Sequence, residues 1–257
     1  MFVQKIVPAR TITIHPNYVT KQDLPELMSV EVEKTRKARE IGRACGLFRV
    51  PEVLDYNPAT GKARLERIDN IRSIGSVFSY GRNCDELMAR VGKALATIHN
   101  ELKLSSNMVI ELPSEWKGPE TTNVFIHGDF NIMNVSYDVN NDKLVILDWQ
   151  MTKIWGGRAT FGTRFFDITW FIHTMFFQPF YKVGFYMPAT HWATIFLRNY
   201  SNKSKYLYDE ASFRSYLRKG IRNVAKSNKK RLPLYKFVFY YPALIRFRLF
   251  IDAFRLC

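Results

Sequence analysis

The run His127-Gly128-Asp129-Phe130-Asn131-Ile132-Met133-Asn134 is followed, fourteen residues after its last member, by Asp148-Trp149-Gln150. These residue types at this spacing suit phosphoryl transfer. That chemistry needs a carboxylate beside an attacking hydroxyl and oxygen ligands that hold Mg2+ on the phosphates of a nucleotide. Asp129 is the candidate base, and Asn134 and Asp148 are the candidate metal ligands, Asp148 bridging through Mg2+ to the phosphates. The spacing predicts a short strand over Val124–Ile126, a turn presenting Asp129, a return at Asn134, and a strand over Lys143–Leu147 that carries Asp148 to the same cleft. An HxDxxxxN loop followed by a strand ending in Asp is the protein-kinase pattern, with Gly128 where those enzymes usually have Arg. That Arg normally answers a phosphorylated activation loop, so Gly128 points to a small acceptor rather than a loop-regulated protein kinase. His127 reads as a hydrogen-bonding residue of the loop rather than a base.

With these residues the chain resembles the aminoglycoside phosphotransferase and choline kinase superfamily, whose signature is HGDxxxxN followed by a strand and an Asp. Ala94-Leu95-Ala96-Thr97-Ile98-His99 is similar to the LAxLH helix of that family, and Val50-Pro51-Glu52-Val53-Leu54 to its VPxVL segment. Asp167, in Phe165-Phe166-Asp167-Ile168, is similar to the Asp of its DLA helix, which in the family props the catalytic loop from below. The resemblance covers about residues 18–175; Gln150 departs from it, since many relatives carry an acid or Gly there. It implies an α+β, protein-kinase-like fold of two lobes: residues 1–68 as a small β-rich nucleotide-clasping lobe with one helix, and residues 69–257 as a larger, mainly helical catalytic and acceptor-binding lobe. ATP and Mg2+ would lie between them.

The elements that must position these groups follow from local pattern. Phe2–Val7, Arg10–Ile14 and Tyr18–Lys21 read as strands, the last ending in a Lys placed like the phosphate-contacting lysine of kinases. A helix is expected from about Leu27 to Cys45. Val30, Glu33, Lys37, Ile41 and Ala44 fall at three- and four-residue steps on it, which nominates Glu33 as the partner that orients Lys21, with Glu31 second. Lys5 is a rival lysine. Val53–Tyr56 and Ala63–Ile68 read as an antiparallel pair joined at Asn57–Gly61. Glu66-Arg67-Ile68 then forms the hinge, with Glu66 and Ile68 offering backbone groups to adenine. The phosphate-covering turn, Val7–Thr11, holds no glycine; Arg10 is available there to meet phosphate charge. The absence of glycine keeps a non-catalytic binding module as an alternative to an enzyme. A helix over Asp85–Leu102 presents one apolar face as core. Gly156–Arg164 sits where kinases place an activation or substrate loop, with Arg158 and Arg164 as candidates to contact acceptor or phosphate.

A chain of 257 residues with 47% hydrophobic residues can bury a substantial core. Its three cysteines, Cys45, Cys84 and Cys257, show neither disulfide nor zinc spacing. That fits a cytoplasmic protein, and no apolar run reaches the length of a membrane span. Charge is uneven: residues 201–257 carry 14 Lys/Arg against 3 Asp/Glu, so +11 of the total +15 lies there, interleaved with aromatics. Such a tail suits peripheral contact with an anionic membrane at its inner face, or an anionic acceptor, and disfavours a polycationic aminoglycoside, while about half of its aromatics are expected to form the buried face of the last helices. No nucleic-acid motif accompanies it. The acceptor is expected to be a small molecule, sugar or lipid-linked glycan bearing a hydroxyl.

Overall fold

Strands β1 (Thr11–Ile14) and β2 (Tyr18–Gln22) are joined by a tight turn over His15–Asn17, closed by the His15 N–H on the Tyr18 carbonyl at 2.9 Å. They belong to a computed structural model that describes residues 10–78, 84–151, 157–177, 188–204, 209–231 and 234–255, without the side chains of residues 78, 228–231 and 234–239. The expected strand Phe2–Val7, the rival Lys5, residues 7–9 of the phosphate-covering turn and Gly156 lie outside the described residues.

Helix α1 (Pro25–Cys45) follows β2. Its start is favoured by Pro25, whose fixed φ suits the first turn, and its end by Gly46 in the left-handed conformation, φ 69°. Strands β4 (Val53–Asn57) and β5 (Lys62–Glu66) form the expected hairpin, its turn held by the Asn57 side chain accepting from the Ala59 and Thr60 amides. The resulting antiparallel sheet runs β1-β2-β5-β4 and places Lys21 opposite Ala63 and Tyr18 opposite Glu66. Met28 and Val32 of α1 pack with Ala63 beneath it as a small separate core.

Four short strands were not expected from the sequence: β3 (Phe48–Arg49), β6 (Ile71–Ser73), Val135–Asp138 and, within the expected Gly156–Arg164 loop, Phe161–Thr163. Strands β3 and β6 flank the hairpin of β8 (Val135–Asp138) and β9 (Lys143–Ile146), giving a second sheet in the order β3-β9-β8-β6. Between β6 and β8 in sequence come the short helix α2 (Ile74–Phe78), helix α3 (Cys84–Glu101) and β7 (Asn123–Phe125), which pairs with β10 (Phe161–Thr163). Four helices complete the helical part: α4 (Phe165–Phe177), α5 (Ala189–Lys203), α6 (Glu210–Arg231) and α7 (Leu234–Ala253).

The apolar stripe of α3, with Leu87, Val91, Leu95 and Ile98 buried, meets α5 closely enough that a Cβ on Gly92 would stand 2.4 Å from the Phe196 carbonyl oxygen. Only hydrogen fits there. Every residue of α4 is buried, so this helix forms the centre against which α5, α6 and α7 pack. Among the described residues no helix is long and apolar enough to cross a membrane.

Candidate active site

The β8–β9 hairpin brings Asn134 and Asp148 together from opposite ends of their strands. Val135 stands opposite Ile146, and the Leu147 amide donates to the Asn134 carbonyl at 2.9 Å. Asp148 then takes a left-handed backbone conformation, φ 57°, which Asp tolerates better than most residues and which turns its carboxylate out of the strand. Trp149 beside it is fully buried against His127, ring centroids 4.5 Å apart, and anchors the turn.

Asp129 is enclosed by donors. Its Oδ1 accepts from Trp170 Nε1 at 2.8 Å and from Asn131 Nδ2 at 3.0 Å, and its Oδ2 accepts from Asn134 Nδ2 at 2.9 Å. Burial raises its pKa to about 6; the donors from Trp170, Asn131 and Asn134 oppose that rise while the charge of Asp148 adds to it. With two donors on Oδ1 and one on Oδ2, Oδ2 keeps a lone pair able to accept a further hydrogen bond. Trp170 gives no motif signal in sequence: it reads as one more apolar residue of α4.

The loop carrying Asp129 is fixed from beneath. The fully buried Asp167 accepts the backbone N–H of His127 at 2.7 Å and of Gly128 at 2.9 Å. It also receives His99 Nε2 at 3.0 Å, while His99 Nδ1 meets Tyr200 at 2.8 Å. Burial alone would raise the Asp167 pKa, but these donors hold it below the usual carboxylate value. His127 is neutral: burial lowers its pKa to about 4, its Nδ1 accepts the Asp129 amide, and its Nε2 faces the Leu147 carbonyl at 3.1 Å. It holds the loop, as its sequence context suggests. Gly128 has φ 89°, and a Cβ there would lie 3.0 Å from Met151 Cα. A side chain at this position, where protein kinases place Arg, would meet both a strained backbone and a tight contact with Met151.

On the opposite wall, Lys21 and Arg10 converge on two carboxylates. Lys21 Nζ lies 2.5 Å from Glu31 and 3.0 Å from Asp148; Arg10 pairs with Asp148 and stands 3.5 Å from Glu31. Burial opposes the Lys21 ammonium, but Glu31 and Asp148 outweigh it and raise its pKa. For Asp148 burial likewise opposes ionisation, yet Lys21 and Arg10 hold its pKa down to about 2. The carboxylate that meets Lys21 is thus Glu31, which corrects the expected pairing with Glu33. The buried residues of α1 are Met28, Glu31, Val32, Lys34, Thr35, Ala38 and Gly42, and Glu33 is turned from them, only half-buried. Choosing Val30 and Ile41 as the core face set the phase wrongly, because the true face contains the charged Glu31 and Lys34. Lys34 was overlooked altogether. It donates to the His127 carbonyl at 2.6 Å, with burial lowering its pKa to about 8.

Between the two sheets lies a cleft of about 450 Å3. Lys21, Asn134 and Asp148 line one end, and Ile12, Ile14, Val19, Leu65 and Leu147 give it an apolar flank. Glu66 and Ile68 border it too, although the Glu66 side chain is engaged by Arg49 and the Glu52 amide. Gln150 is buried beneath, donating to Asp23 at 3.2 Å. The donor set fits Mg2+: Asn134 turns its amide nitrogen to Asp129, leaving a carbonyl oxygen, and Asp148 stays ionised. Mg2+ takes one or two protein oxygens and fills its other positions with water and phosphate, so the lack of a cluster of three or more His, Cys, Asp or Glu among the described residues is no obstacle. Arg164, a sequence candidate for acceptor contact, is instead buried at the start of α4 against the end of α5, bonding Ser204 at 2.7 Å and Tyr200 at 3.4 Å; Arg158 is exposed.

No protein-family profile matches the chain, and no curated protein matches it in sequence. Solved structures do match in fold. A glucosamine kinase in complex with glucosamine, ADP and inorganic phosphate superposes with a TM-score of 0.59 at 12% identity, covering 92% of this chain and 78% of that one. A choline/ethanolamine kinase family protein from Mesorhizobium loti gives 0.56 at 13% identity, covering 97% and 87%. An amicoumacin kinase in complex with AMP-PNP, Ca2+ and Ami gives 0.54 at 13%, covering 96% and 89%. The chain thus shares the α+β, protein-kinase-like fold of these small-molecule kinases.

Proposed function

We propose that this protein is a phosphotransferase that moves the γ-phosphoryl of ATP to a hydroxyl of a small molecule. The observation that carries this reading is the juxtaposition of Asp129, bonded to Asn134, with a cleft whose end is lined by Asn134, Asp148 and Lys21. The apolar flank of the cleft suits a nucleotide base, with the hinge around Glu66 and Ile68 offering backbone groups at its edge. Lys21, steadied by Glu31, would meet the α- and β-phosphates. Asn134 and Asp148 would hold Mg2+, which when bound neutralises charge on the β- and γ-phosphates. Asp129 orients the acceptor hydroxyl and takes its proton at Oδ2, and a carboxylate titrating near 6 is ionised and still basic enough for that near neutral pH.

For the acceptor, a sugar, a lipid-linked glycan or another small hydroxyl compound is proposed. The structural neighbours include a glucosamine kinase in complex with glucosamine and an amicoumacin kinase in complex with Ami, which supports a small-molecule acceptor. The net charge of +15 favours an anionic one over a polycationic antibiotic. The test is an ATP-consumption screen over sugars, amino alcohols and lipid-linked glycans, with Asp129→Asn as control. Turnover by the wild type that falls by about 10^2–10^4 in the variant supports the role of Asp129; turnover that survives the change rejects it. A second reading, a nucleotide-independent binding module, is favoured by Arg10, whose guanidinium sits on the Asp148 carboxylate. Calorimetry that finds no Mg-ATP binding would select it.

A further inference from the structure

Much of the aromatic content of the C-terminal tail is core. Tyr240, Phe247, Phe250 and Phe254 are buried, with Phe247 stacked on Phe176 of α4 and Phe250 tilted against it. Subtracting them leaves a distinct outer face on α7. Tyr241, Ile245 and Leu249, each one helical turn from the next, are 58%, 45% and 63% exposed. Large apolar side chains this open, in register on one helix, are unusual on a surface that only meets water.

The cations beside that stripe are arranged with it. Arg248 lies on the same face, one turn from Ile245. On α6, Arg218, Arg222 and Lys226 recur at four-residue steps and are exposed. The two helices meet where Arg218 pairs with Asp252 at 2.7 Å, and there Arg218, Arg222 and Arg248 surround a depression of about 250 Å3 floored by Ile221 and Ile251. One carboxylate, Asp252, faces three guanidinium groups, so the patch keeps a positive excess. An apolar stripe flanked by cations is complementary to a bilayer surface, where acyl chains receive the former and anionic headgroups the latter. A second copy of the chain would set these like charges against each other, and nucleic acid would leave the apolar stripe without a partner.

We infer that the outer face of α6 and α7 docks on an anionic membrane surface through Tyr241, Ile245 and Leu249, with Arg222, Arg248 and Lys226 on lipid headgroups. This stands apart from the chemistry of the cleft and does not rest on it.

The test is sedimentation of the full chain with phosphatidylcholine vesicles, with and without phosphatidylserine. The wild type should pellet with the anionic vesicles and be released by high salt. Arg222→Gln with Arg248→Gln should lower the partition about 25-fold, at roughly fivefold per cation near the surface. Ile245→Ser with Leu249→Ser should also lower it. Arg43→Gln with Lys143→Gln, on α1 and β9, should change it little. All these positions are exposed, so thermal unfolding should show each variant folded. The inference is overturned if wild type and face variants pellet alike, or if the Arg43 and Lys143 change weakens binding as much as the Arg222 and Arg248 change. It is also overturned if vesicles do not bind and Leu249→Ser instead abolishes a concentration-dependent dimer.

Discussion

Replacing Trp170 by Phe removes the indole N–H that reaches Asp129 Oδ1 at 2.8 Å while keeping a ring to stack on His173. A hydrogen bond to an ionised carboxylate contributes roughly 1.5–3 kcal/mol. One pH unit corresponds to about 1.4 kcal/mol, so the Asp129 pKa should climb from about 6 by at least about one unit. The direction follows from which form the bond serves: only the ionised carboxylate benefits from this donor, so losing it favours the protonated form. If Asp129 accepts the hydroxyl proton, the acidic limb of the kcat/KM profile must move with it. At pH 6 the variant should lose roughly fivefold or more through protonation alone, and much of that loss should disappear at pH 8.5. The profile would be measured with the acceptor found by screening, and carboxyl NMR titration of Asp129 gives the same quantity without one. An acidic limb that stays in place while activity falls equally at every pH would show that Trp170 only packs. A limb displaced to lower pH would refute the reasoning outright.

Other expectations concern the supports of the site. Because the folded-state pKa of Asp129 is raised from 3.8 to about 6, its carboxyl contributes stability that is complete below pH 3.8 and is lost as pH rises through 6. Asp129→Asn should therefore gain stability relative to wild type between pH 4 and pH 8, on the order of 1–2 kcal/mol after screening, as read by thermal unfolding. Glu31→Gln should weaken Mg-ATP binding about tenfold by loosening Lys21, at roughly 1.5 kcal/mol for a lost charged hydrogen bond, whereas Glu33→Gln should stay within about twofold. Calorimetric titration of both variants decides between the two carboxylates. Gly128→Ala forces a left-handed backbone on a residue with a Cβ 3.0 Å from Met151, so the urea midpoint should fall by the equivalent of roughly 1–3 kcal/mol with an unchanged slope.

The parts of the site legible in the sequence are those whose chemistry and spacing lie within one short stretch. His127 to Asn134 and the strand ending at Asp148 form a single local unit, so the strand–loop–strand geometry follows from it, though not the pairing of β9 with β8, and the hairpin of β4 and β5 is announced by Asn57-Pro58 and Gly61. The parts that were not legible depend on long-range packing. Strand β3 is two residues long and exists because β9 offers an edge to pair with, and Phe48-Arg49 alone carries no strand periodicity. Trp170 reaches Asp129 only because α4 lies under the loop. Arg164 reads as a loop cation and is buried because the chain turns directly into α4 beside α5.

Helix α1 shows why its phase was misread. Periodicity assumes that the face turned inward is apolar, but here that face carries Glu31 and Lys34, three residues apart. Each has a specific partner off the helix: Glu31 holds Lys21 on β2, and Lys34 holds the backbone of the Asp129 loop at His127. Two buried charges on one helix cost desolvation that packing alone does not return, so a sequence selected for stability would replace them with apolar residues. Their presence marks α1 as the element that sets Lys21 in register with the loop that carries Asp129. A rotation of the helix that displaced one contact would displace the other, since less than one turn separates them. The place where the amphipathic rule fails is thus the place where the two halves of the site are coupled.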